Sequence, residues 1–208
     1  MKNKTSLMPA LAAACALLGA SSAYAAVSYQ VSINTSALAA NVTSSPFSLD
    51  FQLIGNGGNN SATISNFNFG GGSATSGTEN YTGSASGNLG TTISLNNTSG
   101  FLNEFFQEFT PGSTLSFTLN LSTNVASPTP DGFTFAILDK DLFNITTDGL
   151  GDSLFHVDIT GATYGTQTVQ TGSGTGAFAG VTTTAVPEPS AALLGGLGVL
   201  VLLKRRRN

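Results

Sequence analysis

The body of this chain has almost no basic residues. Of the seven Lys and Arg in 208 residues, Lys2 and Lys4 stand near the start and Lys204, Arg205, Arg206 and Arg207 near the end. Residues 26–186 therefore hold ten carboxylates against one lysine, Lys140. Nucleic acid and anionic lipid surfaces are excluded as partners of such a body, because both are held by clustered Lys and Arg. Cysteine is as scarce. The only one, Cys15, lies inside an N-terminal apolar run. Once that run is removed there is no disulfide framework, thiolate nucleophile or cysteine metal site. "AAAC" is also a poor lipoprotein signal, because apolar residues continue past the cysteine. Tryptophan is absent altogether, which removes the best aromatic platform for a sugar ring.

Two terminal stretches read as addresses and not as fold elements. Lys2 and Lys4 precede the apolar run from Leu7 to Ala20, and "SSAYA" follows with Ala23 and Ala25 in an A-x-A arrangement. Residues 1–25 are expected to be a signal peptide cleaved between Ala25 and Ala26. The run is too short for a stable membrane span, which takes about 20 residues. Towards the other end, "TGSGTGAFAGVTTTAVPEP" is rich in Gly and Thr, and residues 171–186 are expected to be a linker. An apolar run from Ala191 to Leu203 and the tail "KRRRN" close the chain.

Between these ends, residues 26–170 are expected to form one all-β domain. In "VSYQVSIN", Val27, Tyr29, Val31 and Ile33 share one face and Ser28, Gln30 and Ser32 the other. "FSLDFQL", "TLSFTLNL" and "GFTFAIL" repeat the scheme. A sheet with one face buried and one wet requires that alternation. Several such strands with no helices between them imply two antiparallel sheets packed as a β-sandwich. In "SATISNFNFGGG" the period slips, and a bulge near Ser65 and Asn66 would return Ile64, Phe67 and Phe69 to one face. "FLNEFFQEF" fits both periods; its aromatic content and flanking "TSG" and "TPG" favour a strand, with a short capping helix as the alternative. Residues 70–90, "GGGSATSGTENYTGSASGNLG", are expected to be a long loop or weak hairpin.

Few residues carry chemistry. His156 can pair with Asp158 two positions on, on one strand face, but no nucleophile motif accompanies them. Asp131, Asp139, Asp141, Asp148 and Asp152 crowd one segment. Calcium takes oxygen ligands from such loops, and Asp139, Asp141 and Asp148 are the first candidates, although the segment lacks a calcium-loop spacing and reads equally as solubilised turns. Tyr81 and Tyr164 lie in loop-like sequence as weak sugar platforms, with incidental loop tyrosines as the blander reading. Thr166, Thr168 and Thr171 form one short threonine row. Eight N-x-S/T sequons beyond residue 25, at Asn34, Asn41, Asn59, Asn80, Asn96, Asn97, Asn120 and Asn144, are what an Asn/Ser/Thr-rich chain produces by chance.

In the order "VPEP", apolar run, "KRRRN", residues 187–208 resemble the bacterial PEP-CTERM sorting signal, also catalogued as an ice-binding protein C-terminal domain. The resemblance implies that an exosortase-type membrane enzyme recognises Pro187, Glu188 and Pro189 and cleaves near them. It also implies that the apolar run inserts transiently in the membrane as a sorting helix, and that Lys204, Arg205, Arg206 and Arg207 are the cytoplasmic stop. The positive-inside rule places the tail on the same side. Ala191 to Leu203 makes about 20 Å of helix against a hydrocarbon core of about 30 Å, a length suited to a temporary stop. The family further implies export across the inner membrane of a Gram-negative bacterium that makes extracellular polysaccharide. The body, with "FSLDFQLIG", "NFNFGGGSA", "FFQEFTPGSTLSFTLNL" and "PDGFTFAILD", is similar to a β-sandwich ectodomain found in one group of PEP-CTERM proteins. That likeness implies a jelly-roll-like fold and brings no catalytic residues.

The expectation is an exported, non-enzymatic cell-surface or biofilm-matrix protein with no cofactor unless calcium, processed by signal peptidase and an exosortase-type enzyme and binding extracellular polysaccharide weakly. A polysaccharide-active enzyme is the alternative, and it requires two carboxylates about 5–10 Å apart. An ice-binding protein is the second alternative, and it requires a flat, threonine-lined face.

Overall fold

The computed structural model describes residues 26–55, 60–98, 100–122, 131–145 and 153–159 in full, and 168–169 and 181–187 as backbone. The expected signal peptide (1–25), Asp148, Tyr164, Thr166, Thr171 and the sorting segment from Glu188 onward lie outside the described residues. Those described all belong to one compact unit, Ala25–Glu188.

In chain order the elements are β1 (Ala26–Asn34), the single-turn helix α1 (Ser36–Ala39), β2 (Phe47–Ile54), β3 (Ser61–Asn68), β4 (Ser73–Ala74), β5 (Asn80–Thr82), β6 (Ser86–Gly87) and β7 (Ile93–Asn96). They continue with β8 (Leu102–Thr110), β9 (Thr114–Ser122), β10 (Asp131–Leu138), β11 (Phe155–Ile159), β12 (Thr168–Val169) and β13 (Val181–Pro187). The all-β expectation holds. Two antiparallel sheets form: a first in the order β13-β1-β9-β3-β7-β6, and a second in the order β12-β11-β10-β2-β8-β4 with β5 also on β8.

Both sheets turn their apolar residues into one core. Val27, Tyr29, Val31 and Ile33 are buried on β1, as are Leu49, Phe51 and Leu53 on β2, Phe117 on β9 and Phe133 and Phe135 on β10. Phe117 of the first sheet meets Phe51 and Phe135 of the second edge-on, with ring centroids 5.4 and 5.1 Å apart. Tyr29 meets Phe155 in the same way at 5.6 Å. Each large side chain buried like this contributes about 1.5–3 kcal/mol, and edge-on ring pairs about 0.5–1.5 kcal/mol more.

The irregular segment of β3 behaves as its sequence requires. Its register with β9 shifts between Ser65 and Asn68, and Asn66 takes a positive φ of 56°, a conformation asparagine tolerates. The shift brings Phe67 against the core, 6.1 Å from Phe51 and 5.9 Å from Phe117. "FLNEFFQEF" is strand, because it lies along β2 from Phe47↔Phe109 to Ile54↔Leu102.

On β8, Asn103 and Gln107 point inward with Phe105 and Phe109 and are buried. They reach the 70–90 segment, which is ordered into strands and not left as a loop. Asn103 accepts the Ser84 amide at 2.8 Å. Gln107 accepts the Leu89 amide and donates to the Thr75 carbonyl, both at 2.8 Å, and donates to Glu79 at 3.0 Å. β4 and β5 thereby pair with β8 in the second sheet, and β6 pairs with β7 in the first. Gly87 is required where the segment closes on β7: its φ is 100°, and a Cβ there would stand 1.9 Å from the Thr92 carbonyl oxygen.

The end of the expected linker is also strand. Val181–Pro187 runs antiparallel to β1 from Ile33↔Val181 to Val27↔Pro187, so the Gly/Thr composition of 171–186 does not extend as free chain up to Pro187.

Candidate functional site

Charge is divided between the two sheets. The six strands of the first carry no charged residue. The second carries Asp50, Glu104, Glu108, Asp131, His156 and Asp158. Alternation sends most of these to the outer face, because Phe51, Phe105, Phe133 and Phe155 take the inner one.

Register then brings four polar side chains into one row across four strands. Glu104 lies opposite Gln52, Gln52 opposite Thr134, and Thr134 opposite His156. All four are half-buried. The Gln52 amide nitrogen Nε2 donates to Asp50 Oδ2 and to Glu104 Oε1, each at 2.8 Å. Two carboxylate oxygens that share one donor are no farther apart than twice that distance. The Thr82 hydroxyl donates to Glu104 Oε2 at 3.4 Å. At the far end, His156 Nε2 stands 2.9 Å from Asp158 Oδ1, which makes the pair that the sequence allowed. Phe106, level with Asp50 on β8, and Leu102, level with Ile54 on β2, flank the row with half-buried apolar surface.

Asp50 is the unusual member. It is 5% exposed, and its Oδ1 has no hydrogen-bond partner. Burial above all, then the negative charge of Glu104, push its carboxyl from 3.8 up to about 7, while the hydrogen bond from Gln52 acts in the opposite direction. Around neutrality this aspartate still holds a proton that an exposed one would have lost.

A second polar cluster lies wholly inside. Asp131 opens β10 and is fully buried. Its Oδ2 accepts the side-chain amides of Asn60, just before β3, and Asn97, just after β7, each at 2.7 Å. The asparagine oxygens are engaged as well: Asn97 Oδ1 accepts the Asn60 backbone amide at 2.9 Å and Asn60 Oδ1 accepts the Ser122 hydroxyl at 3.1 Å. Both amides are thus oriented with their nitrogens on the carboxylate, a donor set that rejects a cation. Asp131 Oδ1 backs onto Gly55, where a Cβ would stand 1.8 Å away. The cluster is a tie between the two sheets.

Comparison with protein-family models, with curated proteins and with solved structures finds no match. The site is therefore read from its own chemistry.

Of the calcium candidates, Asp139 and Asp141 share the turn after β10, where one carboxylate oxygen of each is already engaged. Asp139 Oδ1 accepts the backbone amides of Asp141 and Phe143 at 2.9 and 3.0 Å. Asp141 pairs with Lys140 at 2.6 Å. No group of three or more His, Cys, Asp or Glu able to hold a metal occurs among the described residues. Tyr81 is half-exposed on β5, with its hydroxyl donating to the Gly87 carbonyl at 2.7 Å and its ring 5.5 Å from Phe105. Asp50, Gln52 and Glu104 were not singled out by sequence, since each occupies an ordinary outward position. Only strand pairing shows that they meet.

Proposed function

We propose that this chain is an exported cell-surface or matrix protein whose body, a jelly-roll-like β-sandwich, holds extracellular polysaccharide on the outer face of its second sheet. One observation carries the binding half of this reading: the row Glu104, Gln52, Thr134 and His156, in register across four strands and flanked by Phe106 and Leu102. An extended glycan lying across the strands meets, at each strand, a carboxylate, amide, hydroxyl or imidazole for its hydroxyl groups, with apolar side chains beside its C–H faces. Apolar surface with a few placed polar groups is the usual make-up of a ligand site. The export half rests on the N-terminal apolar run with its A-x-A site and on the terminal "VPEP", apolar run and "KRRRN", which act as signal peptide and sorting signal.

Gln52→Ala removes the amide that joins the two carboxylates. In a screen of soluble oligosaccharides against the full chain, this variant is expected to bind about tenfold more weakly than the parent, the effect of one lost hydrogen bond to a charged group. Equal affinities would refute the row as the binding site. For the export half, deletion of residues 189–208 leaves β13 intact and is expected to release the body unprocessed from the membrane fraction. Unchanged location and processing would remove the sorting reading.

The shared donor of Asp50 and Glu104 favours a second reading, a polysaccharide hydrolase in which Asp50 is the proton donor and Glu104 the nucleophile. Against it, Asp50 is 5% exposed, its Oδ1 is buried and its Oδ2 is held by Gln52. New reducing ends released from a polysaccharide by the parent and not by Asp50→Asn would establish it over binding alone.

A further inference from the structure

The two ends that the sequence reads as cleavable meet in one corner of the first sheet. β1 begins at Ala26, the first residue after the expected signal-peptide cut, and β13 ends at Pro187, the first residue of the sorting triplet. The two strands are antiparallel partners, with Val27 opposite Pro187 and Ser28 opposite Val186. Residues 181–187, the flank on which the triplet stands, are therefore a strand held on β1 and not free chain.

That flank is what a protease needs. A cleft that cuts a polypeptide takes up several residues around the scissile bond in extended form and holds them through their backbone groups. The backbone groups that β13 turns towards β1 are already hydrogen-bonded there. Between Pro187 and the apolar run at Ala191 stand only Glu188, Pro189 and Ser190, at most about 14 Å of extended chain. Pro187 closes the strand, since it has no N–H to give a ladder. β13 is also the strand that the first sheet can release with least disturbance. It stands at the edge and, among the described strands, is paired with β1 alone. β1 stays held on its other side by β9, from Ala26↔Ser122 to Asn34↔Thr114.

We infer that β13 is a latch on the sorting cut: paired with β1 it withholds the flank of Pro187, Glu188 and Pro189, and the sorting enzyme cuts only chains in which β13 has left β1. The inference rests on the sorting reading above and adds a conformational step to it. Release of β13 exposes the flank, the enzyme binds it as an extended strand, and after the cut the strand returns to β1. The same pairing ties the step to the other end of the body, because the strand that receives β13 is the one that starts at the signal-peptide cut.

The test is a reversible lock in the full chain, with processing followed in the bacterium that makes it. Cys15→Ser removes the one native thiol, and Ser28→Cys with Val186→Cys places two thiols on register partners. The Cα atoms of such partners are about 4.5–5.5 Å apart, within the span of a disulfide. The oxidised chain is expected to be cut at least about tenfold more slowly than the parent, because the form that can be cut is no longer populated. A reducing agent restores the rate, and either cysteine alone leaves it unchanged. An insert of about eight Gly and Ser residues between Val186 and Pro187 adds up to about 28 Å of unpaired flank and is expected to restore cutting while the lock is closed. Cutting of the locked chain at the parent's rate overturns the inference. So do thiols that fail to join under oxidation, a slowing that outlasts reduction, or a spacer that rescues nothing. A parent that is never cut near the triplet removes the sorting reading and the latch with it, whereas a parent cut normally beside an ineffective lock removes the latch alone.

Discussion

Replacing Asp50 with asparagine is expected to stabilise the folded chain at pH 8 by on the order of 4 kcal/mol and to leave it nearly unchanged at pH 4. The sign follows from where the proton is. The unfolded chain releases it around 3.8, whereas in the fold burial and the neighbouring Glu104 hold it up to about 7. Below pH 4 both states are protonated and Asp50 makes no difference. Between pH 4 and 7 the folded state binds more protons than the unfolded one, so stability falls by about 1.4 kcal/mol per pH unit. Above pH 7 both states are ionised and the full penalty is present. Asparagine reproduces the neutral acid at every pH: its oxygen accepts from Gln52, and its amide nitrogen takes the place of the unpartnered Oδ1. Urea unfolding of parent and variant at pH 4.5, 6 and 8 measures the difference directly, and two pH profiles that run parallel would refute it. Glu104→Gln, which removes the second cause and keeps the first, is expected to recover only part of the gain.

The opposite outcome is expected at Asp131. Asp131→Ala should destabilise the body by about 2–6 kcal/mol, at about 1–3 kcal/mol for each of the two buried amides it leaves without an acceptor. It deletes an acceptor that serves Asn60 and Asn97 at 2.7 Å each and leaves two buried amide groups with unmet hydrogen-bonding capacity. The loss is concentrated where the two sheets are tied, because β10 belongs to one and β3 and β7 to the other. Gly55→Ala is expected to be comparably harmful through the same contact, since its Cβ would stand 1.8 Å from Asp131 Oδ1. Chemical denaturation of the variants at pH 7 checks both. A loss under 1 kcal/mol for Asp131→Ala would mean that the asparagines find other partners and that the tie is dispensable.

These two aspartates also mark where sequence reading ends. The alternation in β1, β2, β9 and β10 is legible because a strand with one buried face has no freedom in its order of apolar and polar residues. The slip at Ser65 and Asn66 is legible for the same reason. Asp50, however, sits at an outward position that alternation assigns to solvent; what buries it is tertiary, and local sequence carries no trace of that. Asp131 follows two prolines and precedes a glycine, a setting that reads as a turn, and its partners Asn60 and Asn97 are two of many asparagines in the chain. The order of the Gly- and Ser-rich 70–90 segment was not legible because its polar side chains and backbone are met by residues of a distant strand, Asn103, Gln107 and Glu108 on β8, which local sequence does not reveal. The row on the second sheet is intermediate. Each of its residues is visibly outward, but their alignment depends on which strands are neighbours.

The ordering of that 70–90 segment also bears on how many copies can join. Its short strands β4, β5 and β6 occupy the β8 side of one sheet and the β7 side of the other, and strands of two or three residues are poor templates for another chain. Sheet-to-sheet growth through hydrogen-bonded edges needs two open edges per molecule, one to receive and one to offer. With one side blunted, such pairing stops at a couple of molecules and does not run on into a fibre. Where copies of the body crowd together, its two broad faces would thereby stay free and neighbours would find no nucleus for amyloid-like stacking.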